Sequence, residues 1–505
     1  MNIFSKRKKN RMKSFDRYEA VGLVNYKLVV YVLGILLWVE AALLGICAGV
    51  SLCYKEPEYI YFIYSMLINA GVGALMLAFG RKSSRKVNSR DGYLIVSLTW
   101  LLFTAFGMLP FVLSGQIPSV ADAFFETMSG FTTTGATILN DIEALPHGML
   151  FWRSFTQWIG GLGIVIFTIA FLPMFSGSSQ QLFKSEATGV TQTKIQPRIQ
   201  VMARYLWIVY IALTLAETIL LMLGGMNLFD AVCHAFSTTA TGGFSTKQDS
   251  ISYWNSAYIE YVVAIFMILS GINFALYYWA LKGRVKMMLH DEEMHWFLKS
   301  VGTLTLLITV ALVFHNGYDI EMAFRKALFQ VATCHTSCGF ASDDYNLWPQ
   351  FTWMLLIFAM VSGGSTGSTS GGIKSMRLVI LSKNILNQFR QKLHPHAVLP
   401  VRVNHVSVAS QVNHNVFAFI LTYLICVFIG WTLLMMMGVG LTESMGTVIS
   451  AIGNVGPGLG SFGPAFSWAA LPDAAKWVLS ALMLLGRLEI FGILLLFYKG
   501  FWKDN

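Results

Sequence analysis

Asp122, Asp230, Lys326 and Glu443 each stand thirteen residues ahead of a glycine, respectively Gly135, Gly243, Gly339 and Gly456. The polar stretches around those glycines read FTTTGAT, TTATGGFST, CHTSCGFAS and IGNVGPG. Their chemistry is that of the backbone. Glycine permits positive φ and close approach of chains. Four segments meeting on one axis can offer carbonyl oxygens in place of a cation's hydration shell. One such glycine is a turn or a helix contact; four at one offset mark a repeated unit.

Each set lies between two long apolar segments, so the unit is span, short buried helix, polar loop, span. In the first unit, ADAFFETMSGF is too short to cross a bilayer and suits a helix that enters half-way and returns. Asp122 near its start complements the helix dipole, and the partly negative far end would face a centrally held cation. The third unit departs from the pattern, with Lys326 where the others carry an acid and Glu321 just upstream.

Composition agrees. Of 505 residues, 55% are hydrophobic and 12% charged, and the mean hydropathy is +0.58. Ten spans are expected, near 26–50, 59–80, 92–113, 150–172, 201–223, 256–281, 296–315, 350–382 (interrupted), 411–437 and 474–498. The fold class is an all-α integral membrane protein in the lipid bilayer. The basic start MNIFSKRKKNRMK precedes a long apolar run without a small-residue cleavage site, so it reads as a retained cytoplasmic tail.

Basic residues orient the chain. Segments 1–27, 81–90, 184–204, 282–299, 374–402 and 499–505 hold 29 of the 36 Lys and Arg. This places both termini in the cytoplasm and all four glycine loops outside. The net charge of +10 is thereby accounted for without nucleic acid. The outer segments carry fourteen acids against six bases, either an acidic vestibule that concentrates cations or simply the default side for acids.

Other chemistry is weaker. Cys334, His335 and Cys338 have helix-compatible spacing, but a closed zinc site takes four ligands and the sister repeats carry none. No catalytic constellation stands out, which argues against an enzyme. Within the eighth span, SGGSTGSTSGG (362–372) contains only Ser, Gly and Thr, and its five glycines, Gly363, Gly364, Gly367, Gly371 and Gly372, disfavour a continuous helix. Lys374 and Ser375 follow at nearly phosphate-loop spacing, but Ile373 breaks the motif and no strand precedes it. A hydrated loop beneath the four glycines is the better reading. Arg487, at membrane depth in GRLEIF, is a functional candidate and the natural partner of that loop; a salt bridge to a residue such as Glu217 is the alternative.

The motifs FFETMSGFTTTGAT, FSTTATGGFST, TSCGFAS and GNVGPGLG, with SGGSTGSTSGGIKS and GRLEIF, make the chain resemble the membrane subunit of Trk/Ktr-type potassium uptake systems, in the TrkH-like branch, from about residue 20 to the C-terminus. The resemblance implies four tandem helix–pore helix–helix units in pseudo-fourfold array around a central pore, preceded by two extra spans. The corresponding divisions are a tail (1–25), the extra spans (26–91), and pore repeats 92–200, 201–295, 296–405 and 406–505. It also implies potassium at Thr133, Thr134 and Gly135; Thr241, Gly242 and Gly243; Ser337, Cys338 and Gly339; and Asn454, Val455 and Gly456, with no other metal and no catalytic cofactor. None of the four has the TVGYG run of tetrameric potassium channels, so discrimination against sodium is expected to be modest. Relatives that prefer sodium carry serine at the position of Gly135, so glycine there implies potassium.

The resemblance further implies that the loop 362–372 acts as the gate, with Arg487 in contact with it. A homodimer and a cytosolic nucleotide-binding regulatory subunit, TrkA-like, are implied, as is a bacterial inner membrane. Two alternatives stand beside uptake through a gated pore. A sodium- or proton-coupled cation symporter would use the same fold. A transporter with inverted repeats is disfavoured because two spans separate successive glycine loops, so all units insert the same way.

Overall fold

The computed structural model describes residues 24–81, 88–163 and 199–503. The tail before residue 24, the loop containing Arg85, basic residues 184–198 and the far end of the fourth expected span (164–172) lie outside them.

Two long apolar helices open the described chain, α1 (Tyr26–Cys53) and α2 (Tyr59–Gly80). Four units follow. The first comprises α3 (Ser89–Gly107) with its continuation α4 (Leu109–Ser114), the short α5 (Val120–Phe131) and α6 (His147–Gly161). The second comprises α7 (Ile199–Leu223), the short α8 (Leu228–Ala240), and the pair α9 (Ala257–Ser270) and α10 (Phe274–Leu281). In the third, α11 (Glu292–Ala311) precedes α12 (Ile320–His335), then α13 (Gln350–Ser362) and α14 (Ser375–Leu393). In the fourth, α15 (Ser410–Met436) precedes α16 (Leu441–Gly453), then α17 (Asp473–Arg487) and α18 (Phe491–Phe497).

Three of the four short helices begin where a polar side chain satisfies an otherwise unpaired N–H group. Ser119 accepts from Asp122 N, Asn227 from Asp230 N, and Asp319 from Glu321 N. Packing then closes a circle. Each short helix lies against the second helix of the unit before it: α8 against α6, α12 against α9, α16 against α13, and α5 against α17. The extra helix α1 packs on α2, α3 and α6 and so belongs to the first unit's flank. Around α5, Phe131 meets the edges of Phe103 and Trp152, and the Trp152 indole donates to the Gly107 carbonyl (2.8 Å).

Among the described residues, six helices are long and apolar enough to cross a membrane: Tyr26–Cys53, Tyr59–Gly80, Ser89–Ser114, Ala203–Leu223, Glu292–Asn316 and Ser410–Met436. Two expected continuous spans are instead broken. The segment 256–281 bends by 89° between α9 and α10, and 474–498 by 116° between α17 and α18. Hydropathy is blind to the cause. At the first break the Gly271 carbonyl accepts from Ser365 N (2.9 Å), and Phe274 N donates to the Gly367 carbonyl (3.1 Å). At the second, Glu489 and Ile490 adopt positive φ (48° and 57°), and the Glu489 carboxylate pairs with Arg377. The helices stop where the Ser/Gly/Thr segment and its flank dock.

Candidate functional site

All four polar stretches fold alike. The residue two before each glycine is left-handed: Thr133 (φ 55°), Thr241 (53°), Ser337 (55°) and Asn454 (52°). The glycines follow at φ 84°, 79°, 94° and 107°. Between them, the N–H of the intervening residue reaches back to close the helix end: Thr134 to Ser129 (2.9 Å), Gly242 to Ser237 (2.8 Å), Cys338 to Thr333 (2.8 Å) and Val455 to Ser450 (2.9 Å). This pairing caps a helix C-terminus. Each non-glycine left-handed residue costs about 1–2 kcal/mol, so the conformation persists only because its surroundings hold it.

Those surroundings are the neighbouring stretches. A Cβ built on Gly135 would come within 3.0 Å of the Gly242 carbonyl oxygen; on Gly243, of Cys338's; on Gly339, of Val455's; and on Gly456, of Thr134's. The four contacts close a ring, unit 1 to 2 to 3 to 4 and back to 1. All twelve residues expected at the site are thereby brought together. The side chains differ from corner to corner: Thr132 and Thr134 share a hydroxyl hydrogen bond (2.8 Å), Thr333 accepts from Gly339 N (3.0 Å), and Asn454 donates to Thr134 Oγ1 (3.1 Å). Cys338 is a buried corner of this ring, and His335 faces the Ser300 hydroxyl (3.0 Å).

The segment after α13 runs directly beneath. Thr369 Oγ1 donates to the Thr239 carbonyl at the end of α8 (3.2 Å), and Gly371 N donates to the Ser337 hydroxyl in the ring (2.5 Å). Gly363, Gly367 and Gly372 have φ of 66°, 78° and 77°. A Cβ on Gly371 would come within 3.0 Å of the Gly453 carbonyl, and one on Gly364 within 3.0 Å of Gly271's. The loop therefore touches units 2, 3 and 4. Arg487 supplies the contact to unit 1. One guanidinium nitrogen donates to the Thr369 carbonyl (2.9 Å), the other to the carbonyls of Gly160 (2.5 Å) and Gly161 (2.6 Å). Among the described residues no ion pair joins Arg487 to Glu217.

Three side chains that hold this loop and its flank escaped the sequence reading. Buried Glu293, at the start of α11, accepts from Thr366 N (2.5 Å) and Met376 N (3.0 Å). Buried Lys374, weighed only as a phosphate-loop lysine, donates to the Ser370 carbonyl. Arg377 donates to the Ile373 carbonyl (2.8 Å) and pairs with Glu489. The Lys374 and Arg377 carbonyl contacts reach only four residues back, whereas the Glu293 contacts and the Arg377–Glu489 pair are set by the fold.

The outer acids also read differently. Glu126 and Arg153 form a fully buried ion pair (2.8 Å), with Thr137 Oγ1 and Ile138 N donating to the same carboxylate. Asp122 pairs with Lys476 (2.5 Å). These two acids hold the short helix α5 in place and are neutralised there, so they add little to any vestibule charge.

The chain matches, over residues 60–504, the family model TrkH, described as a cation transport protein. It is 35% identical over 486 residues to the Trk system potassium uptake protein TrkH of Escherichia coli (strain K12), covering 95% of this chain and 100% of that protein. It is 32% identical over 479 residues to the Trk system potassium uptake protein TrkI of Halomonas elongata, covering 94% of this chain and 97% of that one. The crystal structure of the potassium transporter TrkH from Vibrio parahaemolyticus superposes with a TM-score of 0.87 at 33% identity, covering 95% of this chain and 100% of that one.

Proposed function

This chain belongs to the TrkH family of cation transport proteins, and we propose that it is the membrane subunit of a potassium uptake system, conducting the ion through the ring of Gly135, Gly243, Gly339 and Gly456. The observation that carries the reading is the closed ring. Four equivalent backbone turns, each wedged against a carbonyl of the next, close on one another at the end of four short helices. Potassium is cargo in this reading, not a resident cofactor. The ion sites are Thr133–Gly135, Thr241–Gly243, Ser337–Gly339 and Asn454–Gly456.

The loop at 362–372 is the gate. It lies across the underside of the ring, and Arg487 pins it while placing a positive charge on the ion's route. The repeats divide at 92–200, 201–295, 296–405 and 406–505, after a tail and the extra spans. The protein sits in a bacterial inner membrane as a homodimer, termini cytoplasmic, with a TrkA-like nucleotide-binding subunit acting on the gate from below. The test is rubidium and potassium uptake into vesicles holding the purified protein, with and without sodium competition. Uptake that runs down any imposed potassium gradient supports a pore, and sodium competition measures its discrimination. Uptake that stops without a proton or sodium gradient supports the coupled symporter, and no uptake at all defeats both.

A further inference from the structure

One ring carbonyl is treated differently from the other three. Gln157 of α6 is fully buried, and its amide Nε2 donates to the Gly242 carbonyl at 2.6 Å. Its Oε1 accepts from Phe244 N at 3.0 Å. The two bonds bracket Gly243, so one amide group lies flat along the backbone of the second corner. A Cβ on Gly242 would fall within 3.0 Å of that amide, which is why the corner's middle residue must be glycine for the amide to approach. Among the described residues, the carbonyls of Thr134, Cys338 and Val455, at the same place in the other corners, receive no hydrogen bond.

The counterpart of Gln157 can be located by contact. A Cβ on Gly160 would come within 3.0 Å of the Phe131 carbonyl, and one on Gly486 within 3.0 Å of the Ile452 carbonyl. Phe131 and Ile452 each stand four residues before their own ring glycine. Gly160 and Gly486 are therefore equivalent, and three residues before them stand Gln157 and Met483. Methionine has no N–H to give. Asn454, in the fourth corner, instead donates to the Met483 carbonyl (2.9 Å).

We propose that Gln157 is a positioning residue for ion discrimination, stapling the Gly242–Phe244 backbone of the second corner to the second helix of the first unit. This rests on the reading of the glycine ring as the ion filter. Donation from an amide fixes the direction of the Gly242 carbonyl, so that corner cannot contract around a smaller ion. It also draws electron density from the oxygen, weakening its field, and both changes disfavour sodium, which needs closer and stronger ligation to repay its hydration. The same carbonyl abuts Gly135, so the staple holds two adjacent corners at once.

The experiment measures potassium and sodium uptake into vesicles for Gln157→Met, Gln157→Asn and Gly135→Ser, each normalised to inserted protein. Methionine keeps the volume of the side chain and copies the fourth unit. Asparagine keeps the amide but is one methylene too short to reach both partners, and serves if the methionine variant does not fold. The expected result for either Gln157 variant is a sodium-to-potassium ratio raised about three- to tenfold, the range that losing one buried hydrogen bond spans, with potassium uptake little changed. A ratio unchanged in the Gln157 variants while Gly135→Ser shifts it overturns the staple and leaves the filter standing. A ratio unchanged in all three overturns the filter reading itself. A packing role alone would lower yield and uptake together without moving the ratio.

Discussion

Lys326 of α12 places its amine 2.9 Å from the carboxylate of Glu260 on α9, in the preceding unit. Across the ring, Asp122 of α5 meets Lys476 of α17 in the same arrangement with the charges exchanged. Lys326 and Asp122 both stand thirteen residues before a ring glycine, and Glu260 and Lys476 are both the fourth residue of their helices. The lysine that breaks the acidic pattern of the repeats is thus the mirror of that pattern. Arg325 also reaches Glu260 (2.7 Å), and Lys326 donates as well to the Ser342 carbonyl (2.6 Å).

Breaking this pair should cost stability before it costs selectivity. Lys326→Glu leaves two buried carboxylates face to face, a loss of about 3–5 kcal/mol. The melting temperature of the detergent-solubilised protein should fall sharply, and Glu260→Lys in the same chain should recover much of it. A double variant no more stable than the singles would mean that the two residues do not act as a pair.

Gly135→Ser should raise sodium uptake relative to potassium. The added Cβ would come within 3.0 Å of the Gly242 oxygen, so the first two corners must move apart, and φ of 84° strains any side chain there. A lower melting temperature should accompany the shift in competition assays. An unchanged ratio in folded, inserted protein would remove Gly135 from the ion path.

Deleting Ser365 to Thr369 should raise potassium flux per inserted protein and leave the sodium-to-potassium ratio alone. The deletion removes the Thr369 carbonyl that Arg487 grips and the Thr366 N–H that Glu293 holds. Arg487→Ala should act in the same direction, since on the proposed reading it also takes a positive charge off the ion's route. If both variants conduct less than the parent, the loop is not an obstacle.

Glu293→Ala should loosen the same loop from the other side, at some cost in stability, because Thr366 N and Met376 N lose their buried acceptor. A cysteine at Ser368, read with a thiol reagent from the cytoplasmic side, should label faster in this variant. Equal labelling rates would show that Glu293 does not restrain the loop.

Cysteines at Asp141, Lys247 and Asp343 should react with an impermeant reagent added outside intact cells, and one at Arg85 should stay silent. Ready labelling of the Arg85 site would reverse the orientation drawn from the basic loops.

The ring was legible because its signal is local: a glycine, the polar residues before it and a fixed offset to a charge, four times over. What that charge does was not legible. Asp122 and Glu126 read as dipole complements or vestibule acids, whereas their partners Lys476 and Arg153 sit on other helices and cancel them. Arg487 could be named from its cost at membrane depth, and its attachment to the Ser/Gly/Thr loop was anticipated. Its grip on Gly160 and Gly161, hundreds of residues away, has no sequence signature. The bends near 271–273 and 488–490 were missed for a related reason. Apolar runs look continuous until another segment supplies the hydrogen bonds that end them.

A ring assembled from four copies of one chain would repeat every substitution at every corner. Here a single polypeptide spells each corner separately, so a mutation alters one quarter of the aperture and leaves three quarters as they were. An exchanged ion pair on one side and a lone amide behind one carbonyl are features that only such a ring can hold. With the ring as the proposed filter, ion preference would be adjustable in small steps, corner by corner, by changes that would be fourfold and ruinous in a symmetric assembly.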